Sequence, residues 1–156
     1  MTPAVLMLER AGINHEVHAY EHDPNVESFG QEAAHALGVD PATVFKTLLA
    51  VVDRSETVVA VVPVTRLLDL KALARAAGGK KAAMADPADA ARTTGYVVGG
   101  ISPLGQRKQL RTFIDSTARN HDLINVSGGR RGLEVRLAAD DLGRLVGATF
   151  APLAAP

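Results

Sequence analysis

The 156-residue sequence has no cysteine and no tryptophan, and it has no excess of charge of either sign. The absence of cysteine excludes disulfides, thiolate nucleophiles and cysteine-ligated zinc, and it is typical of proteins of the reducing cytoplasm. Because 17 basic residues balance 17 acidic ones, the chain as a whole has no positive field to attract nucleic acid. Any recognition of phosphate must therefore come from locally grouped charges.

Metal motifs and long apolar runs are also missing. None of the five histidines has the spacing of a zinc motif, so we expect no metal and no cofactor. Glu9 and Arg10 interrupt the first apolar segment before a signal sequence could form, and no apolar run approaches the length of a membrane span. These features, with 47% apolar residues, predict one cytoplasmic domain over residues 1–156 with no membrane partner.

The pattern of apolar residues and turn signals predicts an α+β fold. Two continuous apolar runs, 44–53 and 57–64, are typical of strands covered on both faces and are expected to be central. Shorter strands are predicted at 16–20, 80–85, 112–116, 123–127 and 133–137. Helices are predicted after the caps Thr2, Ser28, Asp69 and Asp86, and over 138–146 with Asp140 as cap. Without a regular βαβ cycle, this order favours a mixed, barrel-like sheet with flanking helices and a loose tail at 151–156.

Lys46 is unusual because it lies inside the apolar run 44–53, on the same face as Leu48 and Ala50. An unpaired buried ammonium costs several kcal/mol or loses its proton. Lys46 must therefore either extend to solvent near the start of the strand or contact an anion at the mouth of a pocket.

Two glycine-rich segments are the other candidates for binding. In GYVVGGISPLGQRK, 95–108, Gly99 and Gly100 predict either a tight loop or backbone amides that approach a ligand closely. Ser102 lacks the GxSxG spacing of a serine nucleophile. Residues 127–132 predict a hairpin turn, and its Arg130 and Arg131, like Arg107 and Lys108, are either phosphate contacts or solvated charges. Glu134 is predicted to be either solvated or directed into a cavity.

Six segments together resemble the YbaK family of free-standing Cys-tRNA(Pro) deacylases, which are similar to the editing domain of bacterial prolyl-tRNA synthetase. These segments are EHDP at 21–24, VFKTLL at 44–49, LDLKALA at 68–74, MADP at 84–87, TGYVVGGISPLGQ at 94–106 and SGGRRGLE at 127–134. The resemblance extends from about Thr2 to Phe150 and implies a mixed, barrel-like sheet with a pocket for the 3′ end of an aminoacyl-tRNA.

The resemblance also implies a role for individual residues. Lys46 is expected to hold the terminal nucleotide or the aminoacyl linkage, and Gly99 and Gly100 to form a backbone wall beside the scissile ester. Further substrate contacts are expected at Tyr20, Phe29, Thr47, Ile101, Ser102, Pro103, Ser127, Arg130 and Glu134. At the position of Glu134, relatives commonly carry aspartate, which is shorter by one methylene.

The mechanism implied by the family uses the cysteinyl thiol of the substrate as the nucleophile, which agrees with the absence of a nucleophile motif in the chain. The implied substrate is the 3′ end of Cys-tRNA(Pro), and the implied partner is prolyl-tRNA synthetase. Two alternatives remain open at this point: deacylation of tRNA charged with alanine or serine, and a pocket that only binds a nucleotide or phosphate.

Overall fold

The computed structural model describes residues 1–26 and 28–156, and within them it contains five α-helices and ten strands. The helices are α1 (Pro3–Ala11), α2 (Phe29–Leu37), α3 (Leu70–Ala76), α4 (Pro87–Thr94) and α5 (Ala139–Val146). The strands are β1 (Glu16–Ala19), β2 (Phe45–Val52), β3 (Glu56–Pro63), β4 (Leu67–Leu68), β5 (Ala82–Met84), β6 (Thr112–Asp115), β7 (Ile124–Ser127), β8 (Leu133–Leu137), β9 (Thr149–Ala151) and β10 (Ala154–Ala155). The predicted α+β class is confirmed.

Local capping explains where most helices begin and end. The Thr2 hydroxyl accepts a hydrogen bond from the backbone N–H of Val5 at 3.3 Å, and Gly12, with φ of 68°, ends α1. Ser28 caps α2 in the same way by accepting from the N–H of Gln31 at 3.3 Å. Asp86 caps α4. These helices were predicted from the same residues.

Strands form one mixed five-stranded sheet and one antiparallel three-stranded sheet. The order in the first sheet is β5-β2-β3-β6-β9, with β6 parallel to both β3 and β9. The order in the second sheet is β1-β8-β7, and a single bridge between Val44 and Asn125 connects it to the first. The predicted mixed sheet is confirmed, but over residues 1–26 and 28–156 the strands do not close into a barrel.

The hydrophobic core lies on both faces of β3, as the continuous apolar run predicted. Residues Val58 to Val62 are fully buried. Val59 and Val61 pack with α1, β7, β8 and α5, whereas Val58, Ala60 and Val62 pack with α3 and Phe113. In the described part of the chain no helix has the length and apolarity needed to cross a membrane.

The C-terminal segment contradicts the sequence prediction of a loose tail. β9 pairs with β6, β10 pairs with β4, and Leu153 between them is fully buried. The predicted cap of α5 is also wrong: Ala138 occupies the N-cap position, and Asp140 lies in the first helical turn. There Asp140 pairs with Arg119 at 3.0 Å.

Asp115 anchors this tail. The backbone N–H groups of Leu153 and Ala154 donate to one of its carboxylate oxygens at 2.8 and 2.9 Å, and Thr117 donates to the other. Burial alone would raise the pKa of Asp115, but these hydrogen bonds hold the pKa below its ordinary value. The ionised form is therefore favoured in the folded protein, and its stabilising effect is lost as the pH falls through that lowered pKa.

Replacement of Asp115 by alanine is expected to lower the free energy of unfolding at pH 7 by about 2–4 kcal/mol, because the buried amide of Leu153 and the partly buried amide of Ala154 lose their acceptor. Urea denaturation measures this change. The matched control is Asp122→Ala, which removes an exposed carboxylate and is expected to change stability by less than about 0.5 kcal/mol. Equal stability of the two variants would contradict the role of Asp115.

Candidate active site

A cavity of about 300 Å³ lies where the start of β2 meets α2, α4, the loop after α4 and the end of the three-stranded sheet. It brings together most of the residues that the sequence analysis proposed for the site. These are Tyr20, Phe29, Lys46, Thr47, Gly99, Ile101, Ser127 and Glu134. The cavity therefore assembles residues from five distant parts of the chain.

Four of the proposed residues do not line the cavity: Gly100, Ser102, Pro103 and Arg130. The N–H of Gly100 donates to the carbonyl of Val97 at 2.8 Å, so it closes a turn and is not available to a substrate. The Ser102 side chain is fully buried and accepts from the N–H of Leu104 at 3.2 Å. Arg130 is exposed, and its backbone packs beneath Gly100.

Lys46 lines the cavity because the edge of β2 is open there. On this edge β5 pairs only with residues 50–52, and Asn125 forms a bridge with Val44. Residues 45–49 lie between these two contacts and line the cavity. No carboxylate of the described residues lies within 4.0 Å of Lys46. Burial lowers the pKa of its amine. A half-buried ammonium without a partner is suited to binding an anionic or strongly polar group of a ligand.

Glu134 lies in the cavity wall and is 6% exposed. In the three-stranded sheet its partners are His18 on β1 and Ser127 on β7. Burial raises the pKa of Glu134 to about 8, so this carboxyl group is mostly protonated at neutral pH. Burial and the nearby carboxylate of Glu134 together raise the pKa of Tyr20 to about 12. The structure thus places Glu134 in the cavity and not in solvent, as a group able to donate a hydrogen bond.

Gly99 forms part of the cavity wall beside Phe29, the first residue of α2. Its φ is 87°, and a Cβ at this position would lie 2.7 Å from Phe29 and 2.9 Å from Nε of Arg131. In residues 1–26 and 28–156 nothing accepts a hydrogen bond from its N–H group. Gly99 thus presents a backbone amide at a wall where no side chain fits.

Arg131 does not line the cavity, but it contacts two residues that do, Phe29 and Val98, and the sequence analysis did not predict this role. Its guanidinium lies 4.6 Å from the centre of the Phe29 ring and donates to the carbonyl of Val98 at 2.7 and 3.0 Å. It therefore joins the β7–β8 hairpin to α2 and to the loop that carries Gly99. The sequence offered no signal for this contact beyond the position of Arg131 on the hairpin.

Replacement of Gly99 by alanine is expected to destabilise the protein and to deform the cavity wall. The methyl group would meet both Phe29 and Arg131, in addition to the cost of about 1–2 kcal/mol for a positive φ. The matched control is Gly147→Ala, because Gly147 has φ of 64° but nothing within 4 Å of an added Cβ. Thermal unfolding is expected to show a larger loss for Gly99→Ala, and equal losses would contradict the close packing.

Thr47 and the hydroxyls of Ser28 and Ser127 are the remaining polar groups in the wall. The Thr47 hydroxyl oxygen is buried and has no hydrogen-bond partner among the described residues. An unpaired buried hydroxyl is costly, so we expect water or a ligand in the cavity to supply its partner. No histidine of the described chain lines the cavity, so these hydroxyls have no imidazole base to activate them.

Comparison with known proteins agrees with this geometry. The family model described as "Aminoacyl-tRNA editing domain" matches residues 23–145. A protein of Enterococcus faecalis named as a Cys-tRNA(Pro)/Cys-tRNA(Cys) deacylase, EbsC, is 36% identical over 152 residues, which cover 97% of this chain and 92% of that protein.

Solved structures show the same fold. A crystal structure described as a trans-editing enzyme for prolyl-tRNA synthetase has a TM-score of 0.84 and 25% identity, with 100% of this chain and 99% of that chain covered. The crystal structure of the hypothetical protein APE2540 has a TM-score of 0.88 and 21% identity, with 99% and 100% covered. The family match, the curated relative and the fold agree with the resemblance found in the sequence motifs, and the chain belongs to the aminoacyl-tRNA editing domain family.

Proposed function

We propose that this protein is a trans-editing deacylase that releases cysteine from mischarged Cys-tRNA(Pro). The single observation that carries the proposal is the composition of the cavity. Lys46 with no carboxylate partner among the described residues, Gly99 with an N–H group that donates to none of them, and Glu134 with a raised pKa line the same cavity, whereas no activated nucleophile of the described chain does. Such a cavity can orient and polarise an ester, but it needs a nucleophile from the substrate or from water. The family and the named relative both support deacylation of aminoacyl-tRNA.

The cavity has separate surfaces for the parts of an acylated 3′ terminus. The ammonium of Lys46 binds the negative or polar groups of the terminal nucleotide and its ester linkage. The amide of Gly99 faces the ester carbonyl, where negative charge develops during attack. The protonated Glu134 and the unpaired Thr47 hydroxyl supply hydrogen bonds to the aminoacyl group, and Tyr20 completes this wall.

In the proposed reaction, the thiol of the cysteinyl group attacks its own ester carbonyl. A carbon–sulfur bond forms, the bond between the carbonyl carbon and the ribose oxygen breaks, and the thiol proton is transferred to that oxygen. Free tRNA leaves, and water then opens the resulting cyclic thioester to cysteine. Positioning of reacting groups contributes up to roughly 7–11 kcal/mol in favourable intramolecular cases, and one donor to the oxyanion about 3–4 kcal/mol.

Selectivity follows from the chemistry of the substrate. Alanine and proline on the same tRNA have no thiol, so they cannot supply the nucleophile even when they enter the cavity. A hydrophobic pocket alone separates side chains that differ by one methylene by only about 1–3 kcal/mol. The proposed mechanism does not depend on that small difference.

Prolyl-tRNA synthetase is the partner that we propose, and the cytoplasm is the proposed compartment. A domain of 156 residues with zero net charge has few contacts with which to select one tRNA among many. Association with the synthetase that makes the error would supply that selection. Addition of the synthetase to the assay described next is therefore expected to increase the rate of cysteine release.

The test of the proposed function is the release of labelled amino acid from tRNA(Pro) charged with cysteine, alanine or serine. We expect multiple turnovers with cysteine and rates near the uncatalysed background with the other two. Preferential release of alanine or serine would assign a different substrate and exclude the thiol mechanism. Binding of all three without release would show a module that binds and does not catalyse.

A further inference from the structure

We infer that a second surface, which we call the basic cleft, binds the phosphate backbone of the tRNA whose acylated end occupies the cavity. This inference rests on the proposed function. The basic cleft has a volume of about 620 Å³ and lies where the end of α4 meets the segment before β6. Its lining includes Arg92, Thr93, Arg107, Lys108, Gln109 and Arg111.

Positive charge is concentrated in the basic cleft although the chain as a whole is neutral. Four cationic side chains line it, and Glu56 is the one acidic lining residue among those described. Arg111 pairs with Glu56, and Arg92 pairs with Asp89. Arg107 and Lys108 have no carboxylate of the described chain within 4.0 Å, so both are available to a polyanion.

The other lining groups favour nucleic acid over protein as the occupant. Ser55, Thr57 and Thr93 offer hydroxyl groups of the kind that bind phosphate and ribose. Leu110 is the single apolar side chain in the described lining, and it is only 8% exposed. The cores of protein interfaces are rich in aromatic residues and poor in charge, which is the reverse of this composition.

The basic cleft lies at a distance from the cavity that suits the RNA chain whose acylated 3′ end occupies the cavity. α4 lies between the two sites: Pro87 and Ala90 line the cavity, whereas Arg92 and Thr93 line the cleft. From Pro87 to Thr93 the helix rises by about 9 Å. Two or three nucleotides span this distance at roughly 3.4 Å of rise per residue. The backbone N–H of Arg107 donates to the carbonyl of Thr94 at 2.8 Å, which anchors the main chain of Arg107 at the end of this helix.

The experiment measures binding of uncharged tRNA(Pro) as a function of salt for the wild type, Lys108→Glu and the double variant Arg107→Glu/Lys108→Glu. Each lost phosphate contact is expected to reduce the slope of log K against log salt by about 0.7–0.9, and binding weakens accordingly. Replacement of Arg107 removes its packing against Gly95, so weaker binding by the double variant must be distinguished from loss of folding. The single variant Lys108→Glu leaves that contact intact. The control Lys71→Glu reverses the charge of another exposed lysine, at the opposite end of α3 from the Ala77 carbonyl that Arg111 contacts.

An unchanged slope for both cleft variants would overturn the inference. Unchanged tRNA binding with lost binding to prolyl-tRNA synthetase would also overturn it and assign the cleft to a protein. Release of cysteine from a cysteinylated adenosine, which is too short to reach the cleft, separates this result from the proposed function. We expect that the cleft variants release cysteine from this adenosine at the wild-type rate. If the wild type releases no cysteine from any substrate but the slope falls as expected, the proposed reaction fails and the cleft is still the tRNA-binding surface.

Discussion

Replacement of Lys46 by alanine is expected to lower kcat/KM for Cys-tRNA(Pro) by about 10²- to 10³-fold, the loss typical when one partner of a desolvated, charge-assisted hydrogen bond is removed. The reason is the composition of the cavity: among the described lining residues Lys46 is the one cation. Because the cavity is partly closed to water, neither a solvent cation nor an ordered water molecule replaces the lost Lys46 ammonium without cost. Release of labelled cysteine under multiple-turnover conditions measures the loss.

Two variants control this measurement. Lys71→Ala removes an exposed lysine outside the cavity and is expected to behave as the wild type. Lys46→Met keeps the apolar part of the side chain, so it separates the loss of charge from the loss of packing. A fall of less than about threefold for both Lys46 variants would show that the ammonium does not stabilise the transition state.

Replacement of Glu134 by glutamine is expected to stabilise the protein at alkaline pH by roughly 3–6 kcal/mol while leaving its stability at pH 4 nearly unchanged. The folded state holds the pKa of Glu134 at about 8, above its ordinary value of 4.5. A raised pKa means that the protonated form is favoured in the folded protein. The wild type therefore loses stability as the pH rises from about 4.5 to about 8, whereas neutral glutamine does not titrate.

The measurement is urea denaturation of both proteins between pH 4 and pH 9, and the quantity of interest is the difference between them at each pH. All other titrations cancel in this difference. Glu21→Gln, which changes an exposed carboxylate, is expected to follow the wild type. A constant difference between Glu134→Gln and the wild type across this range would show that the Glu134 carboxyl group does not titrate in a desolvated site.

Local signals predicted most of the fold. Thr2, Ser28 and Asp86 cap helices because a side-chain oxygen next to orphan N–H groups is sufficient for this role wherever the helix packs. The run 57–64 was predicted as a central strand because only a strand covered on both faces is apolar without interruption.

The errors in the fold arose where contacts distant in sequence decide the structure. The segment 151–156 has two prolines and only short apolar stretches, and it becomes ordered through β4, β6 and the carboxylate of Asp115. Asp140 has the residue type of a cap, but the helix starts at the buried Ala139, so the N-cap lies two residues earlier, at Ala138.

For the site, the sequence identified the unusual residues but not their arrangement. Lys46 stood out because an ammonium in an apolar strand needs an explanation, and the structure places it in the cavity. Glu134 was left between solvent and cavity because alternation along a strand does not show what covers the polar face. The contact of Arg131 with Phe29 and Val98 joins three segments, so no local pattern could predict it.

The central claim is that the amine of Lys46 contacts the acylated terminus of the tRNA. The most direct test is the rate at which an amine-reactive reagent labels Lys46, with and without an adenosine analogue that carries cysteine in a stable 3′-amide linkage, at a concentration that raises the unfolding temperature of the protein. Mass spectrometry separates Lys46 from Lys71, which serves as the internal reference. We predict that the analogue strongly suppresses labelling of Lys46 and leaves Lys71 unaffected, whereas equal labelling of Lys46 with and without the analogue would contradict the account.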